Sequence, residues 1–360
     1  MKTTNYVSIK NVPEPCALAS VENKRGYPMK NLLALTPLVL GLAAGAPVAH
    51  AAECGAVTIA SMNWASAELL AEVDKFILQN GYGCDAGIVL GDTVPTLTSM
   101  AEKGKPDVAP ESWTSLRPPI TQKNIEEGKL LIAGKAFTEG GVQGLYVPKF
   151  IVDEHPEIKT IADAVKRPEL FPNPEEPSKG AWSAGQQGWG GTIIASQYYK
   201  AFKAEEAGFS LVDTGSAAGH DGSLVRAYER KKGWIGYYWE PTSLLGKYEM
   251  VRLPAGVPYD AAEWNRCNKV ENCPDPKPND WPVDEVNTIV TKAFADRSGP
   301  AYDYLTTRSW PNSLVNQMLA WMADNQATGE DGAKEFLKKN PDVWAKWVAP
   351  QVAEKIKSAL

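Results

Sequence analysis

Val57-Thr58-Ile59-Ala60, then Leu69, Leu70, Val73, Phe76 and Ile77 at helical spacing, then Gly81-Tyr82-Gly83, is the stretch from which the architecture follows. The β-branched run reads as a strand, the three-and-four spacing as the buried stripe of a helix, and the glycines as its stop. The same alternation continues. Gly87-Ile88-Val89-Leu90 predicts a second strand, Val94 to Lys103 a second helix, and Pro106-Asp107-Val108-Ala109 a third strand that ends at Glu111-Ser112-Trp113. Such a pattern implies a mostly parallel sheet covered by helices, an α/β fold. Ligands of these sheets gather at the carboxyl ends of the strands, which is where Trp64 and Trp113 fall.

Further along, Gly140-Gly141-Val142-Gln143-Gly144 precedes an extended Leu145-Tyr146-Val147-Pro148 and is suited to a crossing into a second lobe. That lobe has its own elements. A helix is expected over Thr160–Val165, a proline-rich loop from Pro168 to Pro177, a helix from Gly191, another over Asp221–Lys232, and a strand at Trp234–Trp239 that breaks at Glu240-Pro241. The return crossing is expected between Tyr248 and Pro254, followed by a strand near Val286–Val290 and helices to Leu360. The expected division is therefore 52–145 plus 249–360 for one lobe and 146–248 for the other, consistent with about 300 residues exceeding a single core. Leu314, Met318, Trp321 and Met322 are spaced as a buried helix face, and Trp344 and Trp347 read as packing.

Gln186-Gln187-Gly188-Trp189-Gly190-Gly191 sets a large aromatic ring among glycines just before a helix. The indole face attracts a cation through its quadrupole. Free amides at a helix start hold an oxyanion. A small zwitterion with a methylated ammonium would be matched by both, whereas a tight turn around a core tryptophan is the plainer alternative. Trp64, Trp113 and Trp239, which ends a strand as Trp113 does, favour a shared aromatic site.

Upstream, Met29-Lys30-Asn31, an apolar run from Leu32 to Leu42 and Ala49-His50-Ala51 have the form of a secretory signal peptide, so residues 1–51 are set aside and the mature chain begins near Ala52. The polar residues 1–28, with Cys16, suggest a mis-assigned start codon. Glu53 before Cys54 argues against lipid attachment. A soluble periplasmic protein is expected, and there Cys54, Cys84, Cys267 and Cys273 can pair. Of three pairings the sequence-local one, Cys54 with Cys84 and Cys267 with Cys273, is expected; a zinc site is the rival, with two histidines and no C-x-x-C spacing against it. The chain has 37 basic and 43 acidic residues, and losing the basic leader makes it more acidic. Nucleic acid is not expected as a partner.

Four segments together, Met62-Asn63-Trp64, Glu111-Ser112-Trp113-Thr114, Gly188-Trp189-Gly190-Gly191 and Tyr237-Tyr238-Trp239-Glu240-Pro241, resemble the substrate-binding proteins of ABC uptake systems for glycine betaine, choline and related methylated amines. The resemblance covers nearly all of the mature chain. It implies a two-lobed periplasmic binding protein fold with two interdomain crossings and a ligand cleft, and a membrane permease and ATPase as partners. It further implies that Trp64, Trp113, Trp189 and Trp239 surround the ammonium, with the amides of Gly190 and Gly191 on a carboxylate.

Glu111, Glu139 and Glu240 are candidate acidic neighbours of the cage, each also readable as a surface or capping acid. An ionised carboxylate there would favour choline; a protonated one could donate to trimethylamine N-oxide. Tyr146 is a candidate further wall or a core residue. No cofactor is expected, and a monomer is the default. The rival classes are an enzyme acting on methylated amines, which the lack of G-x-S-x-G, H-E-x-x-H and a dinucleotide fingerprint disfavours, and a sensor subunit read by a receptor.

Overall fold

The computed structural model describes residues 54–360; the leader expected over residues 1–51 lies outside the described residues. Among the described residues ten strands form two five-stranded sheets. β1 (Ala56–Met62), β2 (Asp85–Gly91), β3 (Val108–Trp113) and β4 (Leu130–Lys135) belong to the first. β5 (Val142–Pro148), β6 (Gly180–Gly185), β7 (Phe209–Asp213), β8 (Ile235–Glu240) and β9 (Met250–Leu253) make the second, and β10 (Val286–Thr291) returns to the first. Helix α1 (Ala65–Tyr82) follows β1 and ends at left-handed Gly83, and α2 (Thr93–Lys103) follows β2. The expected strand–helix–strand opening is therefore present.

The sheet orders are β2-β1-β3-β10-β4 and β7-β6-β8-β5-β9. These are one topology used twice, with β6, β7 and β8 in the places of β1, β2 and β3. Three strands of each sheet are joined by parallel pairing. The fourth, β10 or β5, is antiparallel to both its neighbours. Each is the first strand after the chain arrives from the other lobe. Val286 faces Trp113 and Val142 faces Glu240, so both strands begin at the cleft edge and run away from it. A chain entering from the cleft has no other direction available.

The crossings differ from the expected boundaries at 145/146 and 248/249. Left-handed Gly140 makes the turn, so β5 lies wholly in the second sheet from Val142, and β9 pairs with it up to Leu253. The return runs through 254–285, and Gly141 and Asp284 exchange backbone hydrogen bonds of 2.9 and 3.0 Å where the two crossings meet.

The first lobe is completed by the end of the chain. Gly81 of α1 packs against Val352 and Ile356, and buried Arg308 donates to Asp74 of α1 (2.8 Å) and to Thr288 of β10 (2.9 Å). Disulfides Cys54–Cys84 and Cys267–Cys273 close in the expected pairing. Among the described residues no helix is long and apolar enough to cross a membrane.

Candidate functional site

The repeated topology puts the four tryptophans at equivalent places. Trp64 follows β1 and stands at the N-cap of α1, and Trp189 follows β6 and stands at the N-cap of the helix Gly190–Ala201. Trp113 ends β3, and Trp239 lies one residue before the end of β8. With the two lobes facing each other, the four rings meet.

All four are between 3 % and 9 % exposed. Trp189 stands edge-on to Trp239, with centroids 5.2 Å apart at 86°, and to Trp64 at 6.4 Å and 87°. Tyr237 stacks beside Trp239 at 5.6 Å and 25°. Together with Thr93 and Leu116 these five rings line one small space of about 20 Å³, room for one or two waters. Tyr237 has the same periodicity as Trp239, since residues two apart on a strand share a face; that alternation was the signal for it in the sequence.

Glu111 holds two of the walls. Its Oε1 accepts from the indole N–H of Trp64 (2.8 Å), the indole N–H of Trp113 (2.8 Å) and the Ser66 hydroxyl (3.1 Å). Its other oxygen is buried with no partner among the described residues. Burial pushes its pKa up to about 7, against the pull of the Trp113, Trp64 and Ser66 hydrogen bonds. The Glu111 carboxyl thus orients indoles from two different strand ends.

Tyr237 is tied to the hinge. Its hydroxyl donates to Gln143 (2.9 Å), and the Gln143 amide donates to Ser115 Oγ (2.8 Å) and to Asp284. Asp284 also accepts from the Ser115 amide and hydroxyl, both at 2.6 Å. Burial raises its pKa to about 6, while the Ser115 bonds lower it. Gly141 sits against the Trp113 ring where a Cβ would collide with the indole.

Gly190 and Gly191 open their helix, and neither amide meets a backbone carbonyl among the described residues. Both must be glycine for packing. A Cβ on Gly190 would lie 2.7 Å from the Leu116 carbonyl oxygen across the cleft, and one on Gly191 would strike the Tyr237 ring. Two other candidates stand apart from this space. Glu139 is exposed and accepts from the Asn312 amide (2.8 Å) at the start of the helix Asn312–Asn325. Tyr146 is buried in β5 and donates to Glu240 (3.4 Å) rather than lining the cavity.

Two α/β lobes of one topology closing on a single aromatic chamber define a solute-binding protein of the two-lobed kind. Residues 55–339 match the family described as the substrate binding domain of the ABC-type glycine betaine transport system, and the chain belongs to that family. Among solved structures, the fold is similar to a choline-binding protein of an ABC transporter in complex with choline, with a TM-score of 0.65 and 17 % identity, covering 85 % of this chain and 98 % of that one. A glycine betaine/L-proline-binding protein from Borrelia burgdorferi gives 0.63 and 19 %, covering 84 % and 99 %. The lactococcal protein closed on glycine betaine gives 0.62 and 18 %, covering 82 % and 100 %. No individual curated protein matches at the level of sequence.

Proposed function

We propose that this protein captures a small trimethylated amine, glycine betaine or trimethylamine N-oxide, outside the cytoplasmic membrane and delivers it to the permease and ATPase of an ABC importer. The observation that carries the reading is the convergence of Trp64, Trp113, Trp189 and Trp239, with Tyr237, on one small space. A quaternary ammonium has no N–H to donate, so hydrogen bonding cannot select it. Aromatic faces can, at about 0.5–2 kcal/mol for each desolvated contact. Several such faces correspond to micromolar binding, about −8 kcal/mol, once ordering costs are subtracted. The small volume favours a compact head and requires the rings to part as it enters.

In this reading the amides of Gly190 and Gly191 take the ligand's oxygen end, as orphan donors at a helix start do. Glu111 adds negative charge behind two walls. Its unpartnered oxygen favours a second reading, choline or another ligand with a net positive charge. Two disulfides support an oxidising compartment. A monomer is expected, visible as a single species by light scattering.

Calorimetric titration of the mature protein with glycine betaine, trimethylamine N-oxide, choline, carnitine and dimethylsulfoniopropionate tests the proposal. Trp189→Ala and Trp239→Ala should each weaken binding about tenfold or more while leaving the melting curve cooperative. Recovery of the ligand unchanged after prolonged incubation separates binder from enzyme. Absence of binding heat with every one of these amines sinks the reading.

A further inference from the structure

Beside the chamber, three hydrogen bonds join the lobes directly. The Gln186 side chain, on the loop after β6, uses both of its ends: its oxygen accepts from Asn63 Nδ2 (3.1 Å) and its amide donates to Asp92 Oδ1 (2.7 Å). Asn63 follows β1 and Asp92 follows β2, so one side chain spans two loops of the opposite lobe. Next to it, the Val94 amide donates to the Gly188 carbonyl (3.0 Å).

Asp92 occupies the N-cap of α2, where an aspartate ordinarily accepts from its own helix, yet it makes no side-chain cap bond there. Its carboxylate is turned to Gln186 instead, and an amide of the first turn is capped by a carbonyl of the other lobe. Gly188, at φ 93°, lets the loops approach this closely, since a Cβ there would lie 3.0 Å from the Asp92 side chain. Gln186 itself is buried, and its own carbonyl is held within its lobe by the Thr192 hydroxyl (2.6 Å). It does not line the space between the tryptophans.

We propose that Gln186 is an interlobe latch that sets the balance between open and closed forms, acting on affinity through closure rather than through contact with the ligand. Only a carboxamide suits the position, because Asn63 presents a donor and Asp92 an acceptor. On opening, Asp92 can return to capping α2, so the lost interlobe bond is replaced by a local one. The two forms are thereby kept close in free energy, and a modest change at Gln186 moves the population. Apparent affinity scales with the closed fraction, so every ligand should feel the change by the same factor.

The test compares the wild-type protein with Gln186→Ala, and with Asp92→Ala, which breaks the same bridge from the first lobe should the other variant fold poorly. Small-angle scattering without ligand should show a larger radius of gyration in both variants. Dissociation constants for glycine betaine and choline should rise about tenfold in Gln186→Ala, by a common factor and through faster release, as expected for losing a hydrogen bond to a charged group. A scattering curve that superimposes on the wild type overturns the proposal. So does a loss that differs by more than about threefold between ligands, since a latch shifts all apparent affinities alike. The scattering arm needs no ligand, so it still tests the latch if the proposed ligand class is wrong.

Discussion

Glu111 is placed where its charge costs stability and, in the proposed reading, attracts the ligand. Its pKa of about 7 exceeds the ordinary carboxylate value of 4.5 because of burial, so the folded protein retains the proton longer than the unfolded chain. The stability this contributes is complete below about pH 4.5 and is lost as pH rises through about 7, on the order of 3 kcal/mol in total. Attraction for a cation runs the other way, strengthening as the group ionises. Glu111→Gln keeps an oxygen for the two indoles and removes the charge. At about pH 8 it should melt higher than the wild type, by the same order of energy, when ligand-free. Choline titrations from about pH 5.5 to about pH 8.5 should give wild-type affinity that rises with pH and variant affinity that stays flat.

Within single elements, the glycines that open the helix Gly190–Ala201 carry a separate consequence. The neighbour of Gly190 is the Leu116 backbone of the other lobe, which cannot swing aside as a side chain would. Gly190→Ala should therefore obstruct closure while leaving each lobe intact. Affinity should fall at least about tenfold with an unchanged melting temperature in ligand-free protein. Cys54–Cys84 joins the starts of β1 and β2 across 30 residues. Replacing both with serine should lower stability by about 3–4 kcal/mol on the loop-entropy estimate, measurable by denaturant unfolding. The Cys267–Cys273 pair, with a separation of 6, should cost less.

The readable elements were those whose own residues carry the signal, such as the β-branched β1, the striped α1 and the aromatic β8. β6 was not among them: Gly180-Ala181-Trp182-Ser183-Ala184-Gly185 has small residues and weak strand preference, and it is held extended by β7 and β8 on either side. The helix expected over Asp221–Lys232 instead spans Ala217–Glu229, because Ser216 caps it through the Gly219 amide while Gly219 and Gly222 mask its first turn. Trp64, Trp113 and Trp239 could be placed from strand ends, and Trp189 from the glycines that open the helix after it. Gln186 and Asp284 could not, because their partners lie in other lobes or crossings and no local pattern records such pairings.

For the molecule as a whole, a ligand that binds only the folded, closed form adds to its stability by mass action. At a free concentration of 100 times the dissociation constant the gain is about 2.7 kcal/mol, enough to raise the melting temperature by several degrees. Differential scanning calorimetry against ligand concentration should show this rise for the wild type and a smaller one for Trp239→Ala at equal concentration. The order of strands also constrains how the molecule comes into being. Every strand of the second sheet lies between Val142 and Leu253, whereas β4 is paired only with β10, which inserts between it and β3. A nascent chain stopped short of Val286 thus owns a finished second sheet and a first sheet with a gap one strand wide. Until β10 arrives, that gap is a template for any neighbouring chain, so the chain is most exposed to self-association after β4 is made and before Val286 joins the sheet.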